Sequence, residues 1–258
     1  SSRRRHTRYI SVTGVQTCAL PILVVAAWFT VNKSSVGYYA IISSLAIIGF
    51  AAPSYVAIYK SKRGQQSIAI LIGLYFFAIL FETFAIKTGW PYGSFYYGDS
   101  IGYRFFNTTP WTVGFAFPPI LLLAYYVGQK LHQKKLYLYL VAGITAMLVD
   151  LVLDPAATTL KLWTWDKGGQ FYGVPLQNFV GWVIAGFIGA IIIHQILKNG
   201  RFTKAVGYSG LLILWFWTWV NLFLGQIIPF FIGIVLSVIF YYVVMTNRAT
   251  IVRWQRKK

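Results

Sequence analysis

Seven apolar runs, each close to the length of a bilayer-spanning helix, govern what this chain can fold into: about 36–59, 67–86, 111–129, 136–153, 177–197, 205–224 and 227–245. A span needs roughly 20 mostly apolar residues, and in hydrocarbon a single segment must satisfy its own backbone hydrogen bonds, which makes each run a helix. A shorter run at 20–31 adds an eighth candidate. The expected fold is therefore all-α, a polytopic membrane helical bundle of seven to eight transmembrane helices. Composition agrees. The chain is 57% hydrophobic and only 11% charged, against about 25% charged in a soluble domain. Disorder, a disulfide-stapled secreted domain and an ordinary soluble globule are excluded. A net charge of +18 would suggest nucleic acid on a soluble chain. Here the basic residues sit in short clusters between apolar runs, as in a multi-pass membrane protein, and no nucleic-acid partner is expected.

Residues 1–22, SSRRRHTRYISVTGVQTCALPI, resemble a translated sequencing adapter or a non-native basic leader, and are set apart from the fold. That leaves 23–258 as a single membrane-embedded helical domain. Without Arg3, Arg4, Arg5 and Arg8 the balance is 19 basic to 5 acidic residues. Cys18 drops out too, and with it thiol catalysis, disulfides and cysteine-ligated metals.

The connections alternate in character. Lys60, Lys62 and Arg63 fill one; Lys130, Lys134 and Lys135 another; then Lys198, Arg201 and Lys204; then Arg248, Arg253, Arg256, Lys257 and Lys258. These 14 of the 19 basic residues fall on one side, which the positive-inside rule makes cytoplasmic. The opposite, extracytoplasmic side carries two long aromatic connections, 87–110 and 154–176. Gly93-Ser94-Phe95-Tyr96 in one is loosely like Gly169-Gln170-Phe171-Tyr172 in the other, which suggests a weak parallel duplication.

All five acids, Glu82, Asp99, Asp150, Asp154 and Asp166, map to the outer ends of spans or to the aromatic loops. A carboxylate at membrane depth costs about 2.5–3.5 kcal/mol on insertion scales, so it faces a cavity or a partner. Asp150 and Asp154, at i and i+4, share a helical face. The alternative for Asp154 is a helix N-cap ahead of Pro155, and for Glu82 a pairing with Lys87. Asp99 and Asp166 read as turn residues. Two crowded carboxyls in a low-dielectric pocket do not both ionise, so one is a proton donor and the other an acceptor. Around them lie Trp90, Tyr92, Phe95, Tyr96, Tyr97, Trp111, Trp163, Trp165, Tyr172 and Trp182, whose π faces stabilise a cation. Acid plus aromatic lining suits protonation of a lipophilic alkene through a carbocation. An interfacial aromatic belt is the alternative, and Trp215, Trp217 and Trp219 are assigned to belt or packing.

Other chemistries lack residues. His132 and His194 lie toward the basic side, away from the acids, so neither a His-carboxylate metal site nor a Ser-His-Asp triad is expected. There is no P-loop and no dinucleotide fingerprint. Asp150 and Asp154 match the DxxxD spacing of membrane prenyltransferases, but the second acidic cluster of those enzymes is missing.

At these residues the chain resembles the membrane carotenoid biosynthesis family that includes carotenoid 1,2-hydratases and archaeal bisanhydrobacterioruberin hydratases. The likeness rests on Glu82 with Lys87 through Tyr97 (KTGWPYGSFYY), on Asp150 through Pro155 (DLVLDP), on Trp163-Thr164-Trp165, and on Tyr172 through Trp182 (YGVPLQNFVGW). It covers roughly 40–245. The resemblance implies addition of water across the terminal double bond of a long polyene, with no organic cofactor. It also implies a carotenoid substrate held in the bilayer, with other carotenoid biosynthesis enzymes as candidate partners. The expected catalytic set is Glu82, Asp150, Asp154 and Asn178. The expected substrate-binding set is Trp90, Tyr92, Tyr96, Tyr97, Trp111, Trp165, Tyr172 and Trp182; no metal site is assigned. A membrane lycopene cyclase would form the same cation and quench it by ring closure. A proton-coupled transporter is the rival of another class, since intramembrane acids also serve as proton relays.

Overall fold

A computed structural model describes residues 19–32, 39–61, 64–98, 101–105, 107–132, 134–198 and 200–246. Most of the segment set apart above, together with Asp99, Lys62, Arg63 and the basic C-terminal cluster, lies outside the described residues. The helices are α1 (Ala19–Asn32), α2 (Tyr39–Tyr59), α3 (Gln65–Thr88), α4 (Val113–Leu131), α5 (Lys135–Thr159), α6 (Leu176–Leu197), α7 (Tyr208–Phe223) and α8 (Ile227–Met245). Six of them, α2, α3, α5, α6, α7 and α8, are long and apolar enough to cross a membrane; for α7 the span counts from the short 3-10 turn at Lys204–Gly207. Helix α1 is the short apolar one. The protein is a multi-pass membrane protein.

Helix α4 contains Pro118 and Pro119 and is the central post of the bundle, buried without a break from Phe117 to Gly128. The run expected as a span at 111–129 is thus not among the six, and its burial places α4 inside, packed against α2, α3, α5, α6, α7 and α8. The most extensive interface joins α5 to α6. Small residues permit it: a Cβ built on Gly186 would stand 2.7 Å from the Ala146 side chain and 2.9 Å from the Ala142 carbonyl. Without a hydrophobic drive between helices in lipid, such close backbone approach supplies the packing energy.

Helix α5 runs six residues beyond its apolar stretch, straight through Asp154 and Pro155 to Thr159. Asp154 is therefore inside the helix and caps nothing. Proline lacks the N–H that would continue the ladder. Two polar side chains from neighbouring helix ends serve this region: Asn221 donates to the Val152 carbonyl at 2.7 Å, and Gln226 to the Pro155 carbonyl at 3.2 Å. The helix thus continues past Pro155 with its carboxyl pair buried.

The two aromatic connections clasp each other. Strand β1 (Phe95–Tyr97) pairs antiparallel with β4 (Trp163–Trp165), with Phe95 opposite Trp165 and Tyr97 opposite Trp163. A second ribbon joins β2 (Arg104–Phe105) to β3 (Thr109–Pro110). These ribbons are additions to the all-helical expectation. The two segments likened in sequence differ in conformation: Phe95-Tyr96 is strand, whereas Phe171 turns tightly back to bridge Val174.

Candidate active site

Beneath the clasped loops lies a cavity of about 260 Å³. Its acid end is built by three helices and both loops. Glu82 comes from α3, Asp154 from α5 and Asn178 from the first turn of α6; Tyr92, Tyr97, Trp163 and Trp165 come down from the loops. Glu82, Asp150, Asp154 and Asn178 are all buried. Among the described residues, no lysine or arginine lines the cavity.

Asn178 ties the pair on α5 together. Its amide nitrogen donates to Asp150 Oδ2 at 2.7 Å and also to Asp154 Oδ2. Asp150 and Asp154 lie one helical turn apart on α5, and Trp163 of the clasped loops lines the cavity beside Asp154. Across the cavity the Tyr97 hydroxyl donates to Glu82 Oε2 at 3.1 Å. Burial, with Glu82 beside it, holds the Tyr97 phenol well above its ordinary range, so it remains a donor. Tyr92 is pushed the same way, first by burial and then by Glu82 and Asp150. Asp150 Oδ1 and the hydroxyls of Tyr92 and Thr112 are buried without a hydrogen-bond partner among the described residues. The acid end thus holds unused hydrogen-bonding capacity in an otherwise apolar chamber.

The walls are rings. Trp182 stacks on Phe117 at 4.6 Å, Tyr92 leans on Trp182 at 6.0 Å, and Phe95 on Trp165 at 5.8 Å. A positive charge forming between these faces would be stabilised by about 0.5–2 kcal/mol per well-placed ring.

Of the residues expected from sequence, Glu82, Asp154, Asn178, Tyr92, Tyr97, Trp165 and Trp182 line one cavity. Asp150 stands behind them, bonded to Asn178 and off the wall. Four expected substrate contacts are elsewhere. Tyr96 is 55% exposed, because alternate strand residues face opposite ways and its neighbours Phe95 and Tyr97 take the inward positions. Trp90 is half exposed and packs edge-on against Phe84 outside the bundle. Trp111 packs on Phe115, its carbonyl accepting from the Tyr75 hydroxyl, off the cavity wall. Tyr172 sits at positive φ in the turn beside Gly173 and does not reach the cavity. Asp166 is exposed in a turn, as its sequence suggests. His194 bonds the Tyr125 hydroxyl at 3.2 Å near the far end of α6, remote from the acids.

Phe50, Thr112, Phe117, Ile213 and Phe216 were not among the expected residues, and Trp217, assigned to belt or packing, packs against the core; all six line the cavity. Phe50, Ile213 and Phe216 carry no distinguishing sequence signal. Thr112 and Phe117 had one in the proline-interrupted start of α4, where polar and aromatic residues enter a central helix.

A buried carboxyl cluster under an aromatic roof, inside a multi-pass helical bundle, puts this chain among membrane proteins with a chamber suited to an apolar ligand. Comparison with known proteins agrees with that class. The family described as "Carotenoid biosynthesis protein" matches residues 36–240. The chain belongs to that family. It is similar to the bisanhydrobacterioruberin hydratase of Haloarcula japonica, with 32% identity over 174 residues, covering 62% of this chain and 58% of the relative. The matched part is thus less than two thirds of that relative's length. No solved structure matches.

Proposed function

We propose that this protein hydrates the terminal double bond of a linear carotenoid, a lycopene-like C40 chain or a C50 bacterioruberin precursor. The observation that carries this reading is the convergence of Asp154, Glu82 and Asn178 on one aromatic-walled cavity lined, among the described residues, by no lysine or arginine. Similarity to a protein named as a hydratase supports it.

The substrate's dimethyl end group lies against Trp182 and Phe117. The Asp150–Asp154 pair shares one proton, and Asp154, the member on the wall, delivers it to the CH carbon of the terminal alkene. The π electrons form the new C–H bond, and the positive charge falls on the dimethyl-bearing carbon, facing the rings. Water beside Glu82 adds to that carbon while the Glu82 carboxylate takes a proton from it. The result is a tertiary alcohol, heavier by one water. A water-borne proton transfer from Glu82 back to the aspartate pair resets the site. General acid–base help of this kind contributes about 10²–10⁴-fold, and placement in a dry chamber strengthens each electrostatic contact. Assigning delivery to Asp154 rather than Asp150 follows from which carboxyl reaches the cavity.

We also infer that the basic helix ends at Lys60, Lys130, Lys134, Lys135, Lys198, Arg201 and Lys204 face the cytoplasm, which puts the acid end on the extracytoplasmic side.

The test is pigment analysis of a lycopene-accumulating bacterium expressing the chain with an initiating methionine. Chromatography with mass spectrometry should show products heavier by one water per modified end. A product of unchanged mass with a shortened chromophore would overturn hydration in favour of cyclisation. If lycopene is untouched, a C50 precursor strain repeats the measurement, and inertness there too would sink the reading.

A further inference from the structure

The cavity does not end at the acids. From Glu82 and Asp154 it continues between α2, α4 and α7, where its walls become apolar: Ile47 and Phe50 of α2, Ile120 of α4, and Ile213, Phe216 and Trp217 of α7. On α2 the lining residues Ser43, Ala46, Ile47 and Phe50 follow i, i+3, i+4 and i+7, one continuous face of the helix. Among all the residues lining the cavity, only Ile42 and Ala46 are exposed at the outer surface of the bundle, Ile42 at 56%. They are neighbours at i and i+4, so the cavity opens on the flank of α2, with Thr30 of α1 also on its wall. Ser43 and Ala46 keep that stretch low.

The height of the opening matters. Ala46 is seven residues into α2 from the end beside the aromatic loops, about 10 Å at 1.5 Å per residue. In a hydrocarbon layer roughly 30 Å thick, an opening there faces acyl chains rather than headgroups. The chamber's size sets the other limit. Sites that enclose a whole drug-sized ligand measure about 300–1,000 Å³, so 260 Å³ holds the end of a forty-carbon chain and not its length.

We infer that the flank of α2 at Ile42, Ser43 and Ala46 is a binding subsite for the tail of an extended acyclic polyene, which leaves the chamber here and runs on into the bilayer. The inference rests on the hydratase reading for the identity of the ligand, and it adds the tail's path. Two consequences follow. Only one end group is processed per binding event, because the rest of the molecule stays outside. The substrate enters sideways from the lipid, end first.

Cysteine protection tests this in the full chain with Cys18 replaced by alanine. Ala46→Cys, and Leu80→Cys as a lipid-facing control on α3 (Leu80 is 60% exposed), are reacted with a membrane-permeant maleimide in phospholipid vesicles with or without lycopene. Lycopene should slow labelling at Ala46→Cys at least fivefold and leave Leu80→Cys unchanged. Equal rates with and without lycopene, or equal slowing at both positions, would overturn the path. Protection without any water adduct would leave the path standing and overturn the hydratase reading; turnover without protection would do the reverse. As a second check, Ala46→Phe should raise the KM for lycopene at least tenfold without shifting the unfolding temperature. An unchanged KM in that variant speaks against the subsite.

Discussion

Asn178, in the first turn of α6, donates its side-chain amide to Asp150 of α5 across 2.7 Å of fully buried space. One amide thereby fixes the orientation of a carboxyl pair one helical turn apart, and it does so from a different helix. The α5–α6 interface accordingly builds the candidate site as well as the packing.

Replacing Asp150 by asparagine preserves the volume and removes the group with which, in the proposed mechanism, Asp154 shares a proton. Turnover of the hydratable polyene should fall at least 10²-fold, while membrane insertion and elution in detergent stay those of the parent. Activity within tenfold of the parent would remove Asp150 from proton transfer.

Glu82→Gln keeps an acceptor for the Tyr97 hydroxyl and removes the base that takes water's proton. The expected loss in kcat is about 10²–10⁴-fold. Tyr97→Phe deletes only the 3.1 Å hydrogen bond, worth about 1.5–3 kcal/mol for a charged partner, so its loss should be smaller. A Tyr97→Phe defect larger than that of Glu82→Gln would contradict the assignment of the base to Glu82.

Trp182 stacks on Phe117 at 4.6 Å and forms one face of the chamber. Trp182→Leu retains an apolar wall and loses the ring quadrupole, which should lower kcat by roughly 2–30-fold, the equivalent of about 0.5–2 kcal/mol. Steady-state rates on detergent-solubilised enzyme would measure it, and no change in kcat would show that the developing cation forms elsewhere.

Gly186 meets Ala146 and the Ala142 carbonyl too closely to accept a larger side chain. Gly186→Val should destabilise the protein by about 1–3 kcal/mol through overpacking, read as a lower unfolding temperature in detergent. A parental unfolding temperature would mean that α5 and α6 do not approach this closely.

Much of the fold is legible in the chain itself. Apolar runs at 67–86, 177–197 and 227–245 fall within two residues of α3, α6 and α8, because a span must satisfy its own backbone and the lipid permits little else. The end of α5 was not legible: Asp154-Pro155 allows a helix boundary, yet the helix continues to Thr159, with Asn221 and Gln226 from distant sequence bonding the Val152 and Pro155 carbonyls. Half of the aromatic residues expected at the site lie off the cavity wall for a related reason. Tyr96 and Tyr97 are equivalent by composition, and the pairing of β1 with β4 turns one out and the other in.

By itself, then, the sequence determined a membrane bundle, the alternation of its basic ends, and the gathering of its acids at the opposite end, because burial cost and charge placement act residue by residue along the chain. Only the tertiary structure decided which carboxyl reaches the cavity, which rings face it, and that it opens beside Ala46. Those relations join residues from tens to more than a hundred positions apart, through helix rotations that local patterning does not encode.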